Sequence, residues 1–474
     1  MKEYHAILIG TGSGMNFASE LTNRNPEKKI AIIDKDDPGG ICLTRGCIPS
    51  KLLLYPAELV RITQTASKFG IDVEIKNIDF KFVMERMMRD ISKDIGMIRE
   101  SLLHDLNIDY YHEAAEFVAP YIMKVGNEKI TSRMIFLCTG SKPIIPSIKG
   151  LDEAGYLTSD TVLKLTELPE SIAIIGGGYI AAEYGHFFSA MGSRVTIIGR
   201  NPRFIPDEEP EISALAKREL SKHMNIITNL EVIEIQKMGD GNKKIIGKDR
   251  ISGEEVGVEA KEILVATGRG PNNDILHPEK GGIKIDDKGW IAVNEYLETS
   301  QPNIWAFGDA DGKYLFKHVA NYESRVVSYN AILNEKVKVD YHAIPHAVFS
   351  YPEIASVGLK ENEAVEKYGE KNILIGFQKY EDTARGQAMD VKDYFVKVIL
   401  ENDTKRILGA HIIGPYASVL IHEIIPLMYT REQTADPIMD GMHIHPSISE
   451  VVERAFYSLM PPEHYQHVLN EFGL

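Results

Sequence analysis

The stretch HAILIGTGSGM, residues 5–15, decides the fold: a short β-branched run opens onto closely spaced glycines and then onto a helical pattern. Gly10 permits a tight turn, and Gly12 lets a pyrophosphate approach the backbone. The start of the following helix offers unpaired N–H groups and the positive end of its dipole. Gly14 and Met15 complete the turn, with Met15 where a third glycine would allow close helix–strand packing. The next strand pattern, KIAIID, ends at Asp34, 22 residues after Gly12, where a carboxylate can hold ribose hydroxyls. Strand, glycine turn, helix and acid in this order predict a dinucleotide-binding unit.

A second unit of the same kind begins at SIAIIGGG. Gly176, Gly178 and Ala181 occupy the three small-residue places of its turn. Here the acid is missing. The strand RVTIIG ends at Gly199, 21 residues after Gly178, and Arg200 and Arg203 follow. A carboxylate would repel a 2′-phosphate and two guanidiniums can pair with one, so the sequence favours NADP(H), with NAD(H) possible.

Further short apolar runs, RMIFLCTG, EILVATG and NIWAFGD, match strands buried on both faces of a parallel sheet. The predicted class is α/β, with two Rossmann-like dinucleotide-binding domains in tandem. From about residue 346 the texture changes to longer strands, YFVKVILE and KRILGAHIIG, with helical stretches expected at 416–429 and 447–459. That is a separate α+β unit. The polar stretch 238–248 reads as a hairpin loop.

The chain has 474 residues and a formal net charge of −15, which excludes the broad basic surface needed for nucleic acid or anionic membranes. No apolar run reaches membrane-spanning length, and the N-terminal apolar run leads into glycines rather than a cleavage site, so a cytoplasmic protein is expected.

Chemistry concentrates in GGICLTRGCIPSK, residues 39–51. Cys42 and Cys47 flank four residues at a predicted helix start, where Pro49 suits the first turn and the dipole favours a thiolate. Zinc is the competing use, but no second Cys/His pair has the right separation, and no metal is expected. Beside a dinucleotide fold, the pair points to redox exchange with a disulfide or dithiol. Cys138 reads as a small buried hydrophobe. Late in the chain, MHIHPSISEVVERAF sets His445 five residues before Glu450, the pairing expected of a general base or acid.

Together these segments resemble the class I flavin-dependent pyridine nucleotide-disulfide oxidoreductases. The likeness spans the chain: the cysteine segment, both glycine turns, CTGSKP and ATGRGPN, IWAFGDA, IPHAVFSYPEIASVG, ILGAHIIGP and HIHPSISE. The resemblance implies FAD as cofactor. It makes Cys42 the thiol that meets substrate and Cys47 the thiol against the flavin. Lys51 and Glu183 become an ion pair near the flavin, Asp309 with Ala310 a hold on the ribityl chain, and Gly140 and Gly268 cofactor-side glycines. His445, paired with Glu450, becomes the base that reaches a partner subunit's site, implying a homodimer. The implied division is 1–150 and 274–345 for FAD, 151–273 for NAD(P), and 346–474 for dimerisation.

Within the family, the His-x-His-Pro pattern resembles dihydrolipoyl dehydrogenases, which implies that activity first, with a 2-oxoacid dehydrogenase complex as a possible partner. The GTGSGM turn and the arginines after Gly199 resemble NADPH-dependent reductases of a low-molecular-weight disulfide, the alternative. A non-catalytic FAD-binding subunit is the reading from another class. Thr44 and Arg45 depart from the usual Asn-Val and are expected to put positive charge near the disulfide. No cysteine pair follows at 471–474, so the metal-delivery site of mercuric reductases is not expected.

Overall fold

Gly10 and Gly176 sit at equivalent turns of two parallel sheets in the computed structural model, which describes residues 1–239 and 241–472. The first sheet has five strands in the order Ile304–Ala306, Ile135–Leu137, Ala6–Ile9, Ile30–Ile33 and Ile108–Tyr111, all parallel to their neighbours. Its inner strands are wholly buried, as β-branched runs covered by helices on both faces require. The second sheet repeats the plan, in the order Leu157–Thr158, Glu262–Val265, Ser171–Ile175, Arg194–Ile198 and Asn225–Ile227.

Both turns need glycine for the same two reasons. Gly10 has φ +104°, and a Cβ there would fall 2.1 Å from the Cys138 carbonyl oxygen; Gly176 has φ +138°, and its Cβ would fall 2.1 Å from that of Ala266. Close helix–strand packing in the first unit falls to Gly14, whose added Cβ would lie 3.1 Å from Cys138 Sγ and 3.2 Å from Leu8 Cδ2. Met15, one residue into the helix Gly14–Arg24, is partly buried against the core, so the missing third glycine costs no contact.

The helix Cys47–Thr65 leaves the first unit and packs along the helix Tyr179–Met191 of the second. A two-stranded link, Ser141–Pro143 with Arg269–Pro271, also joins the units. An antiparallel meander, Leu230–Lys237, Lys243–Asp249 and Glu255–Ala260, is appended to the second. The C-terminal unit is a six-stranded antiparallel sheet in the order Pro345–Val348, Ile354–Gly358, Ile407–Ile413, Phe395–Glu401, Ile373–Lys379 and Leu459–Met460. It is fastened to the second unit through Lys397, fully buried, whose ammonium lies 2.6 Å from Glu211, 2.7 Å from Glu361 and 3.4 Å from Glu209. Three carboxylates compensate a desolvated cation that would be costly alone.

Three local expectations are corrected. The hairpin loop is 238–242, because Lys243–Asp249 alternates buried and open positions and pairs on both sides; Asp240 lies outside the described residues. The stretch 416–429 is broken into Ala417–Leu420, a 3₁₀ turn Ile421–Glu423, and Ile425–Met428, with Pro426 unable to continue a helical ladder. The stretch expected at 447–459 is helical over Glu450–Tyr457 only; Leu459–Met460 then joins the sheet edge, and a further helix, Pro462–Phe472, which was not expected, follows. Gly473 and Leu474, the end of the expected dimerisation unit, also lie outside the described residues. No helix among the described residues is long and apolar enough to cross a membrane.

Candidate active site

A cavity of about 740 Å³ runs from the first glycine turn to the cysteine pair. At the turn end, Asp34 follows the strand Ile30–Ile33 and lines the cavity. Its carboxylate accepts the Thr11 N–H at 2.8 Å, the Thr11 hydroxyl at 2.5 Å and the Asp36 N–H at 3.0 Å. Asp34 therefore also ties the turn to the second strand, a role its spacing alone did not show. Burial pushes its carboxyl up, against those hydrogen bonds. Gly12 faces Gly40 so closely that a Cβ on Gly40 would sit 2.4 Å from Gly12 Cα.

At mid-cavity, Asp309 accepts a 2.5 Å hydrogen bond from Ser141 Oγ, which in turn accepts one from Arg269 Nε at 2.8 Å. Burial raises the Asp309 carboxyl. Gly140 lines the cavity with φ +69°, and an added Cβ would strike the Ile41 side chain at 2.9 Å. Ala310, next to Asp309, has its side chain wholly buried beneath the cavity, and its carbonyl accepts from Ile291 N–H. Gly14 likewise packs below the turn rather than lining the space. Lys317, which no motif singled out, donates to Ser13 Oγ at 2.9 Å and lines the cavity, its amine lowered by burial.

At the far end Cys42 and Cys47 are joined as a disulfide with Cα atoms 4.8 Å apart. Cys47 is the first residue of the helix Cys47–Thr65, and Pro49 falls in its first turn. Cys42 sits inside a short helix, Gly40–Thr44, and only Arg45 and Gly46 separate it from the helix that Cys47 begins. Lys51 lies one turn beyond Cys47. Its ammonium is 2.9 Å from both oxygens of Glu183 and 4.6 Å over the Phe349 ring. Glu183, on the helix Tyr179–Met191 and only 5% exposed, also accepts the Phe349 N–H at 3.1 Å. Arg45 is not directed at the disulfide as expected. Its guanidinium is 2.6 Å from Asp36 and 3.3 Å from Asp160. Burial would raise the Asp36 carboxyl, but Arg45 and Lys35 outweigh it and hold it low. Cys138, expected to be buried, is partly open to the cavity, although its surroundings still push the thiol up by desolvation.

His445 and Glu450 are together but apart from this cavity within one chain. His445 Nδ1 is 2.9 Å from Glu450 Oε1. Glu450 also accepts from Ser447 N–H at 3.1 Å and Arg454 at 3.3 Å, and its carboxyl is held low, chiefly by His445. An ionised acceptor requires Nδ1 to carry a proton, so Nε2, on a side chain 69% exposed, is the nitrogen that can exchange one. In the second unit, Gly176, Gly178 and Ala181 frame the turn, Gly268 (φ +115°) ends the neighbouring strand segment, and Arg200 and Arg203 are exposed.

The cavity suits FAD. A glycine turn with helix N–H groups stands at one end, two partly buried carboxylates, Asp34 and Asp309, line it where hydroxyls must be held, and its size is that of a cofactor pocket.

The model of the family described as "Pyridine nucleotide-disulphide oxidoreductase" matches residues 4–324, and that of its dimerisation domain matches 344–456. The chain belongs to this family. Mycothione reductase from Mycobacterium tuberculosis is 36% identical over 471 residues, covering 97% of this chain and all of the relative. Dihydrolipoyl dehydrogenase from Chlamydia muridarum is 32% identical over 474 residues, covering 97% and 98%. Among solved structures, the HOCl-induced flavoprotein disulfide reductase RclA from Escherichia coli superposes with a TM-score of 0.84 at 28% identity, covering 96% of this chain and 99% of that one. This family member is therefore a flavoprotein oxidoreductase acting on sulfur with a pyridine nucleotide. Cys42–Cys47 is its redox disulfide, and its C-terminal unit is a dimerisation domain.

Proposed function

We propose that this chain is an NADPH-dependent reductase of a low-molecular-weight disulfide, working as a homodimer in the cytoplasm. The observation that carries the reading lies at the end of the strand Arg194–Ile198. Where the first unit presents Asp34, the second presents Gly199, packed against Gly177, followed by two exposed arginines. An NADPH-selective site suits reduction of a disulfide rather than oxidation of a dithiol. The full-length likeness to mycothione reductase, higher than that to dihydrolipoyl dehydrogenase, supports the same direction. This reverses the order of the two activities implied by the sequence motifs.

In this reading residues 1–150 and 274–345 hold FAD, with Asp34 on a ribose and Asp309 on the ribityl chain, and 151–273 hold the nicotinamide cofactor. The interface is built from 346–474. FAD, when bound, would relay a hydride's two electrons from NADPH to the Cys42–Cys47 disulfide. Reduction gives a dithiol. Cys42 gives its proton to Nε2 of the partner's His445, and the resulting thiolate attacks the substrate disulfide, forming a mixed disulfide and releasing one thiolate, which takes that proton back. Cys47 then attacks Cys42 Sγ, releasing the second thiol and restoring the protein disulfide. The balance is NADPH, one proton and one disulfide in, NADP⁺ and two thiols out. Glu450 orients the base, and Lys51, set by Glu183, places a positive charge beside the redox pair. A non-catalytic subunit would need none of these.

The dihydrolipoyl dehydrogenase reading, with a 2-oxoacid dehydrogenase complex as partner, keeps the support of the His-x-His-Pro pattern. Steady-state kinetics crossing NADH and NADPH with mycothiol disulfide, glutathione disulfide and lipoamide separate the two. The reductase reading expects the highest kcat/KM with NADPH and a small disulfide. NAD(H) with lipoamide as the best pair would overturn it.

A further inference from the structure

The loop after Ile198 is held by a part of the chain 50 residues away. Gly199 donates to Ile227 O at 2.8 Å and accepts from Leu230 N–H at 3.1 Å. Asn229, left-handed at φ +61°, donates to Asn201 O at 3.0 Å and accepts from Arg250 N–H at 2.8 Å. Arg250 belongs to the turn joining Lys243–Asp249 to Glu255–Ala260, a turn shaped by Asp249, whose carboxylate accepts the Ile251 and Ser252 N–H groups at 2.8 Å. Its side chain reaches back: Nη1 donates to Arg200 O at 3.0 Å. Strand end, Asn229 and meander turn are thus laced into one rim, with a guanidinium from each side of it.

The bland account of Arg250 is a solvated arginine paired with Glu231. That pair is 4.0 Å apart and both side chains are at least half exposed, a geometry in which ion pairs contribute little. The bond to Arg200 O does something else. It fixes the guanidinium next to the residue that follows Gly199, so less side-chain freedom remains to be lost when an anion binds, and most of its N–H donors stay available.

We infer that Arg250 is a specificity-determining residue for the nicotinamide cofactor, a third guanidinium on the 2′-phosphate beside Arg200 and Arg203, delivered by the meander. The inference rests on the NADPH reading above. The meander is then more than an appendage, since its turn completes the end of the site that Gly199 leaves without a carboxylate.

The test titrates FAD-loaded enzyme with 2′,5′-ADP and with 5′-AMP, which share the adenosine and differ at the 2′-phosphate. Wild type is expected to prefer 2′,5′-ADP. Arg250→Ala should weaken 2′,5′-ADP by about tenfold while leaving 5′-AMP and the melting temperature unchanged. Arg250→Lys, which keeps the charge but not the fork, should fall between. If Arg200→Ala/Arg203→Ala removes the preference but Arg250→Ala does not, or if Arg250→Ala weakens both ligands equally, the inference fails while the NADPH reading stands. Equal wild-type affinity for the two ligands would overturn both.

Discussion

Lys51 places its ammonium 2.9 Å from both carboxylate oxygens of Glu183, and that carboxylate also accepts the backbone N–H of Phe349. The helix that begins at Cys47, the helix Tyr179–Met191 of the second unit and the start of the dimerisation unit therefore meet on one buried acid. Replacing Glu183 by Ala strands an ammonium and an N–H at once. We expect a loss of about 1–3 kcal/mol in unfolding free energy, measured by denaturant titration of the FAD-loaded protein. Glu183→Gln, which still accepts from Phe349, should lose less. Unchanged stability of the alanine variant would mean that the contact adds nothing.

Arg45 is neutralised by Asp36 and Asp160 and so should not select substrates by charge. Arg45→Ala is expected to change KM for an anionic and for a neutral small disulfide by the same factor. A selective rise for the anionic one would return Arg45 to the role its sequence position suggested.

A pH effect follows from His346 and Glu208, 2.7 Å apart. Burial would lower His346, but Glu208 outweighs it and raises the imidazole above its ordinary value; Glu208, despite burial, is held low by His346 and Ser356. The His346 contribution to stability is complete below the ordinary histidine value, about 6.5, and is lost as pH rises through the elevated one; that of Glu208 is lost only in acid. Wild type should therefore lose its melting-temperature advantage over His346→Asn as pH is raised from about 6.5 into the alkaline range. A constant difference across that range would contradict the pairing.

Much of the fold was legible because its signals are local. The inner strands of both parallel sheets are short apolar runs leading into glycine or acid, unlike edge strands such as Ile108–Tyr111, and each glycine turn meets a fixed obstacle, the carbonyl of Cys138 or of Ala266. The cysteine segment and the His445–Glu450 spacing were legible for the same reason. What the sequence hid comes from distant parts of the chain. Arg269 reaches Asp309 through Ser141, Lys317 reaches Ser13, and Arg250 reaches Arg200, and none of these carries a spacing rule. Arg45 was misread because its partners lie 9 residues before it and in the second unit.

For His445, the proton placement argued from Glu450 gives two separable outcomes. His445→Ala should lower disulfide turnover by more than 10²-fold with the dimer intact by light scattering. Glu450→Gln, which accepts and donates differently at Nδ1, should lower kcat less and shift the pH profile. Near-normal turnover in His445→Ala would make the histidine structural.

The central claim is that electrons leave the protein through Cys42 while Cys47 stays with the flavin. The most direct measurement is the absorption spectrum and disulfide turnover of Cys42→Ser in its FAD-loaded form. The account predicts bound FAD, a long-wavelength band from the Cys47 thiolate beside the flavin without added reductant, and no disulfide reduction. Substantial turnover, or appearance of that band in Cys47→Ser instead, would contradict it.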